Sequence, residues 1–336
     1  MSNAPVDIEQ KKNPPLAGRR TQINAGQRRI DWAVYAGWAL LFILALTTFT
    51  PFYQRFFIEM MIFAILAMSM DLTLGFTGLL NLSHALFFGF NIYVLAILLT
   101  NFEWPLLLAV LAALLLTLLL ALIIGYLSSR LHGIQFAMVT LAFVELIYIF
   151  VMKWRNMTGG SDGKRIAREA AEFSLGGLQI NMSDTLPLLF FVSALFLASY
   201  YALRRIVNSA FGNALVAVRE NEERAKFLGY NIFRLKLQAF VVSSLFSALA
   251  GVGYAFLKMY ISPEYVSWTL SGDVLIMTLL GGAGTLVGPI VGAMGLVWFK
   301  DWVSSYTEHW MLIVGLLFML VVTFMPKGVL GWLFRK

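Results

Sequence analysis

Four carboxylates interrupt otherwise apolar runs: Glu59, Asp71, Glu145 and Asp273. An acid at the centre of a bilayer costs roughly 2.5–3.5 kcal/mol on insertion scales, so such a residue faces protein, water or a cation and is suited to ion binding, proton carriage or holding a polar solute. Glu59 and Asp273 fall near the ends of their runs, at the outer interface. Glu145, in TLAFVELIY, reads as a structural residue or a proton carrier. Asp71 is the acid favoured for a transport path, because it stands one helical turn before Gly75 and opens onto GFTGLLNLSHALFFGF at 75–90. There Thr77, Asn81, Ser83 and His84 supply polar groups, while Gly75, Gly78 and Gly89 permit a break or a close helix contact. A second glycine-rich stretch, GGAGTLVGP at 281–289, contains Gly281, Gly282, Gly284 and Thr285 and follows a short apolar run. Irregular backbone at membrane depth survives only where protein shields it or it lines a cavity, and two interrupted segments in opposite halves of a chain point to a transport path. The competing reading is close helix packing through small residues. On the path reading, Thr77, Asn81 and His84 face Gly282, Gly284 and Thr285.

Other chemistry finds no footing. His84, His132 and His309 occupy three separate segments without metal-ligand spacing, and no Gly-x-Ser-x-Gly elbow is present. The chain has no cysteine, which excludes disulfides and thiol nucleophiles. TGGSDGKR at 158–165 approaches a phosphate-binding loop, but Thr158 replaces the first glycine and Arg165 the final Ser/Thr. GGAGTLVG has the wrong glycine spacing for a dinucleotide fingerprint. No catalytic residue, metal or cofactor is expected on this chain.

The elements that must position these residues are membrane helices. Of 336 residues, 60% are hydrophobic and 13% charged, about half the charge of a soluble chain, with a mean hydropathy of +0.78. Apolar runs near 32–50, 56–75, 84–100, 105–127, 134–152, 186–203, 237–257, 271–280 with 284–300, and 311–325 predict an all-α polytopic bundle of about eight to ten spans, two of them discontinuous. The first 30 residues read as an uncleaved basic tail, and 31–336 as the transmembrane domain. With the amino terminus inside, the tail, Arg130, the 204–236 segment and the carboxyl end hold 17 of the 25 Lys and Arg residues, which predicts that both termini are cytoplasmic. The pI near 9.6 then reflects topology and anionic lipid, not nucleic acid.

Two polar segments exceed simple turns: 153–185 outside and 204–236 inside. In the second, Phe211, Leu215, Val218, Ala225 and Leu228 recur at helical spacing, Ser209 is a plausible N-cap and Gly229 a stop, which predicts a short amphipathic helix. It rests either on lipid or on a cytoplasmic protein, and its clustered glutamates favour the protein.

RENEERAKFLGYNIFRLKLQAFVVSS, TGGSDG, LGFTGLLNLSHALFFG, LLGGAGTLVGP and the terminal FMPKGVLG occur in this order. Together they resemble the permease subunits of bacterial branched-chain amino-acid ABC transporters, over about residues 57 to 331. The resemblance implies a subunit of an inner-membrane importer for leucine, isoleucine and valine, working by alternating access. Its implied partners are a homologous second permease, two ABC ATPase subunits that bind ATP-Mg, a periplasmic substrate-binding protein and membrane lipid. The loop from Gly212 to Asn231 is implied as the ATPase-coupling segment, carrying Arg219, Glu220, Asn221, Glu222, Arg224 and Gly229. The family commonly has an amide where this chain has Asp71. Urea and short amides use closely similar permeases, and an ion-coupled secondary transporter is the alternative of another class.

Overall fold

The computed structural model describes residues 34–47, 50–175, 178–324 and 328–329. The basic tail at 1–30 and most of the terminal motif lie outside the described residues. Helix α1 (Val34–Thr47) belongs to a unit of its own, Met1–Thr50, and the rest of the chain forms a second.

In that second unit α2 (Pro51–Asp71) runs into a π-helical turn, Leu72–Phe76. Then come α3 (His84–Thr100), α4 (Leu106–Ser128), α5 (Gly133–Lys153), the one-turn α6 (Arg155–Thr158) and α7 (Thr185–Val207). The helices α8 (Ala210–Glu220), α9 (Glu222–Phe227), α10 (Ile232–Lys258), α11 (Trp268–Gly281), α12 (Val287–Ser304) and α13 (Trp310–Phe324) complete the order. Among the described residues, five stretches are long and apolar enough to cross a membrane: 51–76, α4, α5, α7 and α10. Helices α3 and α11, with 17 and 14 residues, are shorter because each abuts one of the glycine-rich breaks.

The most apolar windows of α2 and α10 are 83% and 78% buried, against 28% for α4 and α5, so the first pair is central and the second peripheral. Small polar residues let the central pair approach: Ser69 Oγ lies 2.9 Å from Ser247 Oγ. On α4 the leucines at 107, 108, 111, 115 and 119 point outward. Apolar residues therefore cover both its faces, as lipid contact on one side requires.

One end of the bundle gathers 126–132, α8, α9 and the start of α10. At the other, β1 (Lys164–Arg165) pairs antiparallel with β4 (Tyr260–Ile261), and Lys258 reaches Glu59 at 2.9 Å. The long 153–185 segment is thus partly structured, with a further hairpin of β2 (Glu172–Leu175) and β3 (Leu178–Asn181). The 204–236 segment departs from the expected single helix. Asn221 adopts an extended conformation (φ −160°, ψ 106°), ends α8, and caps α9 by accepting from the Arg224 N–H at 2.8 Å. Ser209 caps α8 by accepting from the Gly212 N–H, and Gly229 stops α9 at φ +88°. Of the predicted apolar face, Leu215, Val218 and Ala225 are buried whereas Leu228 is exposed.

Candidate functional site

Helix α11 ends because Gly282 and Gly284 take φ of +112° and +84°, followed by Leu286 at +58°. Such a left-handed stretch leaves amides without helical partners, and a buried orphan amide is unfavourable. Asp71, fully buried at the end of α2, supplies the acceptors: Oδ1 takes the Gly284 N–H at 2.6 Å and Oδ2 the Leu286 N–H at 3.0 Å. One carboxylate thereby ties the two interrupted segments together. Thr285 finishes the turn, donating to Gly282 O at 2.9 Å and accepting from the Gly288 N–H at 2.9 Å.

The contact needs Gly75. A Cβ there would lie 2.0 Å from Asp71 Oδ1 and 2.3 Å from the Gly284 nitrogen, so no side chain fits between the breaks. The carbonyl of Gly75 is claimed from the other side, because Arg219 of α8 donates Nη1–H to it. The Arg219 stem also covers Gly78, where a Cβ would stand 2.7 Å from its Cγ, and a Cβ on Gly284 would stand 3.2 Å from its Nη1. A guanidinium from α8 is thus wedged where the two glycine-rich breaks meet.

The remaining polar residues of the first break point elsewhere. Thr77 Oγ1 donates to Leu72 O at 2.8 Å, and Asn81 Oδ1 accepts from the Ser83 N–H at 3.0 Å and from Ser83 Oγ at 2.6 Å. His84 Nε2 lies 2.7 Å from Ser243 Oγ on α10, and that hydroxyl donates to Ser69 O at 2.6 Å. The expected facing of Thr77, Asn81 and His84 onto Gly282, Gly284 and Thr285 is therefore corrected: Asp71 and Gly75 make that contact. The reason is competition, since the serines of α10 lie within reach of His84. Gly89 serves close packing, with a Cβ there 2.5 Å from Tyr265 O.

In the inner segment Gly212 is buried against Val207 O, while Glu220 and Arg224 are exposed. Glu222 is engaged within the chain, pairing with Lys236 and lying 3.0 Å from His132 Nδ1. Burial pushes its carboxyl up, but the hydrogen bonds and charges of Lys236 and His132 outweigh burial and hold it below the usual carboxylate range. Sequence reasoning missed Lys236, whose side chain is 2% exposed; its only signal is a lysine inside the start of an apolar helix. It also missed the reach of Arg219 to Gly75, which no spacing reveals.

Residues 52–322 match the model of a family described as branched-chain amino acid transport system / permease component. The chain is 29% identical over 288 residues to the high-affinity branched-chain amino acid transport system permease protein LivM of Escherichia coli (strain K12), covering 80% of this chain and 68% of the relative. It is 28% identical over 148 residues to the probable branched-chain amino acid transport permease protein LivM of Methanocaldococcus jannaschii, covering 39% of this chain and 42% of the relative. The autoinducer 2 import system permease protein LsrC of Klebsiella pneumoniae subsp. pneumoniae is 33% identical over 116 residues, which is 33% of each chain. No solved structure matches the chain significantly.

Proposed function

Because the chain belongs to the family of branched-chain amino acid transport permease components, we propose that it is the membrane-spanning subunit of an ATP-driven importer. It carries leucine, isoleucine and valine across the inner membrane by alternating access, with both termini cytoplasmic. The observation that carries this reading is the Arg219 wedge: the inner amphipathic segment holds the Gly75 carbonyl at the point where the two interrupted helices meet. A subunit docked on α8 and α9 can therefore act directly on both breaks. The exposed Glu220, Glu223 and Arg224 are the docking charges on that surface. ATP-Mg is bound by the partner ATPases, substrate arrives on a periplasmic binding protein, and a homologous permease completes the path.

Within the junction, Asp71 and Gly75 are the fixed contact, and Gly282, Gly284 and Thr285 form the flexible backbone that a change at Arg219 rearranges. Asp71 already accepts two amide hydrogens, an arrangement suited to holding backbone and not to shuttling a proton. This favours a coupled subunit over an ion-driven carrier.

The test is reconstitution of the chain with its partner permease, ATPases and binding protein. Leucine uptake is expected to require ATP, to exceed urea uptake, and to fall about tenfold or more in Arg219→Ala while the subunits remain assembled, since the lost bond is one from a charged donor, worth about 1.5–3 kcal/mol. Proton-driven, ATP-insensitive uptake by the isolated chain would sink the proposal.

A further inference from the structure

A cavity of about 690 Å³ opens between α2, α3, α5, α10, α11 and α13 and shares no residue with the Asp71 junction. Its size falls within the range of about 300–1,000 Å³ usual for small-molecule sites. It lies toward the end of the bundle marked by the Glu59–Lys258 pair and β4, the end that the charge bias places outside. Phe63, Phe88, Tyr148, Tyr254 and Tyr265 give it apolar and aromatic walls.

Glu145, half-buried in the middle of α5, lines this space and has no hydrogen bond or ion pair among the described residues. The neighbouring acids differ. Glu59 is paired with Lys258, and Asp273 with Lys300 at 2.5 Å, while Glu264 stands exposed at the rim. An unpaired carboxylate on a spanning helix faces protein, water or a cation, and this one faces an open cavity in which a cationic group could pair with it. Opposite in sign, the first turn of α11 also forms part of the wall through Trp268, Thr269 and Leu270. No side chain caps this helix: the Ser267 hydroxyl donates to Glu264 O at 2.8 Å and lies 2.5 Å from Thr269 Oγ1. Its free amides are a ready partner for a carboxylate, as at interrupted helices generally. On α3, which also lines the cavity through Phe88, the Tyr93 hydroxyl is buried without a hydrogen-bond partner among the described residues.

We infer that this cavity is the substrate's outer station, which receives a zwitterionic amino acid with a branched apolar side chain. The α-ammonium goes to Glu145, the carboxylate to the amino end of α11, and the side chain to the aromatic wall. The inference rests on the importer reading and deepens it. It predicts selectivity against urea, which brings neither charge and would leave both Glu145 and the amides of α11 unpaired.

The chain lacks cysteine, so Leu270→Cys places a lone thiol in the wall. In the reconstituted complex with its binding protein, leucine is expected to slow labelling of this thiol by a membrane-impermeant reagent. Isopentylamine, which lacks the carboxylate, and 4-methylpentanoate, which lacks the ammonium, are expected not to. Glu145→Gln should abolish protection and lower leucine uptake by about tenfold or more, as loss of one partner in a desolvated charge pair does. Glu145→Asp should restore part of both, and subunit assembly should not move. If the wild-type complex imports leucine while leucine fails to protect, or Glu145→Gln is protected and transports like wild type, the station is elsewhere and the importer reading stands. A wild-type complex that imports no leucine overturns both.

Discussion

Asp71 does for the break at 282–286 what a capping side chain does for an ordinary helix start, except that its amides come from a segment more than 200 residues away in sequence. Replacing it by alanine orphans the amides of Gly284 and Leu286, each at about 1–3 kcal/mol when buried. Asparagine keeps one acceptor oxygen of the two. The expected order of stability is therefore wild type, then Asp71→Asn, then Asp71→Ala, read from thermal denaturation of the purified complex, with leucine uptake following the same order. Equal stability for all three would mean that the carboxylate does not hold the second break. Asp71 was legible in the sequence as an acid one turn before a glycine in an apolar run. Its partners were not, because a backbone amide has no residue type to announce it. His84 was legible as polar and intramembrane, yet its neighbour Ser243 is one of several serines on α10, and nothing in their spacing ranks them.

The inner segment shows the same division between elements that hydropathy reveals and pairings that it does not. Its helical periodicity, the Ser209 cap and the Gly229 stop were readable, whereas the break at Asn221 was not, since asparagine is tolerated inside a helix and only the cap geometry turns it into a boundary. That break separates the roles of two adjacent glutamates. Glu220 is exposed, whereas Glu222 neutralises Lys236, whose side chain is 2% exposed. Glu222→Gln leaves that lysine without its carboxylate and should destabilise the chain by roughly 1–3 kcal/mol, a value below that of a fully buried pair because Glu222 keeps some exposure. Glu220→Lys should leave denaturation unchanged and weaken ATPase association. Co-purification combined with thermal melting separates the two outcomes, and a reversal of the pattern would refute the assignment. The pH dependence follows from the sign of the shift. Glu222 sits below its usual value of 4.5 when folded, so its contribution is complete above the unfolded value and is lost as pH falls through the lowered folded one. Glu222→Gln should flatten this acid limb of the stability profile.

At the scale of the whole molecule, the spans were the most legible feature, because a run of about 20 apolar residues is a direct consequence of bilayer thickness. The order of burial was not legible. Helices α2 and α4 are both apolar, and small residues admit α10 against each, Ser69 on α2 and Gly125 on α4, but only α2 is central, because α7, α11 and α12 pack on it as well. The two ends of the second unit carry different landmarks: Lys164 and β4 at one, His132, Glu222 and Lys236 at the other. Lone cysteines at Ser161 and Glu223, both exposed, test the assigned orientation. In intact cells a membrane-impermeant thiol reagent that passes the outer membrane should label the first and reach the second only after the inner membrane is opened; the opposite pattern would invert the topology. The Arg219 wedge also bears on how such a subunit can be rebuilt. Gly75, Gly78 and Gly284 each lack a side chain where Arg219 or its neighbours already fill the space, so the four positions form one interchangeable part. Grafting the 209–231 segment from another permease, to make this chain answer a foreign motor, would have to bring the glycines with the arginine; moved alone, the graft would meet a socket cut for a different key.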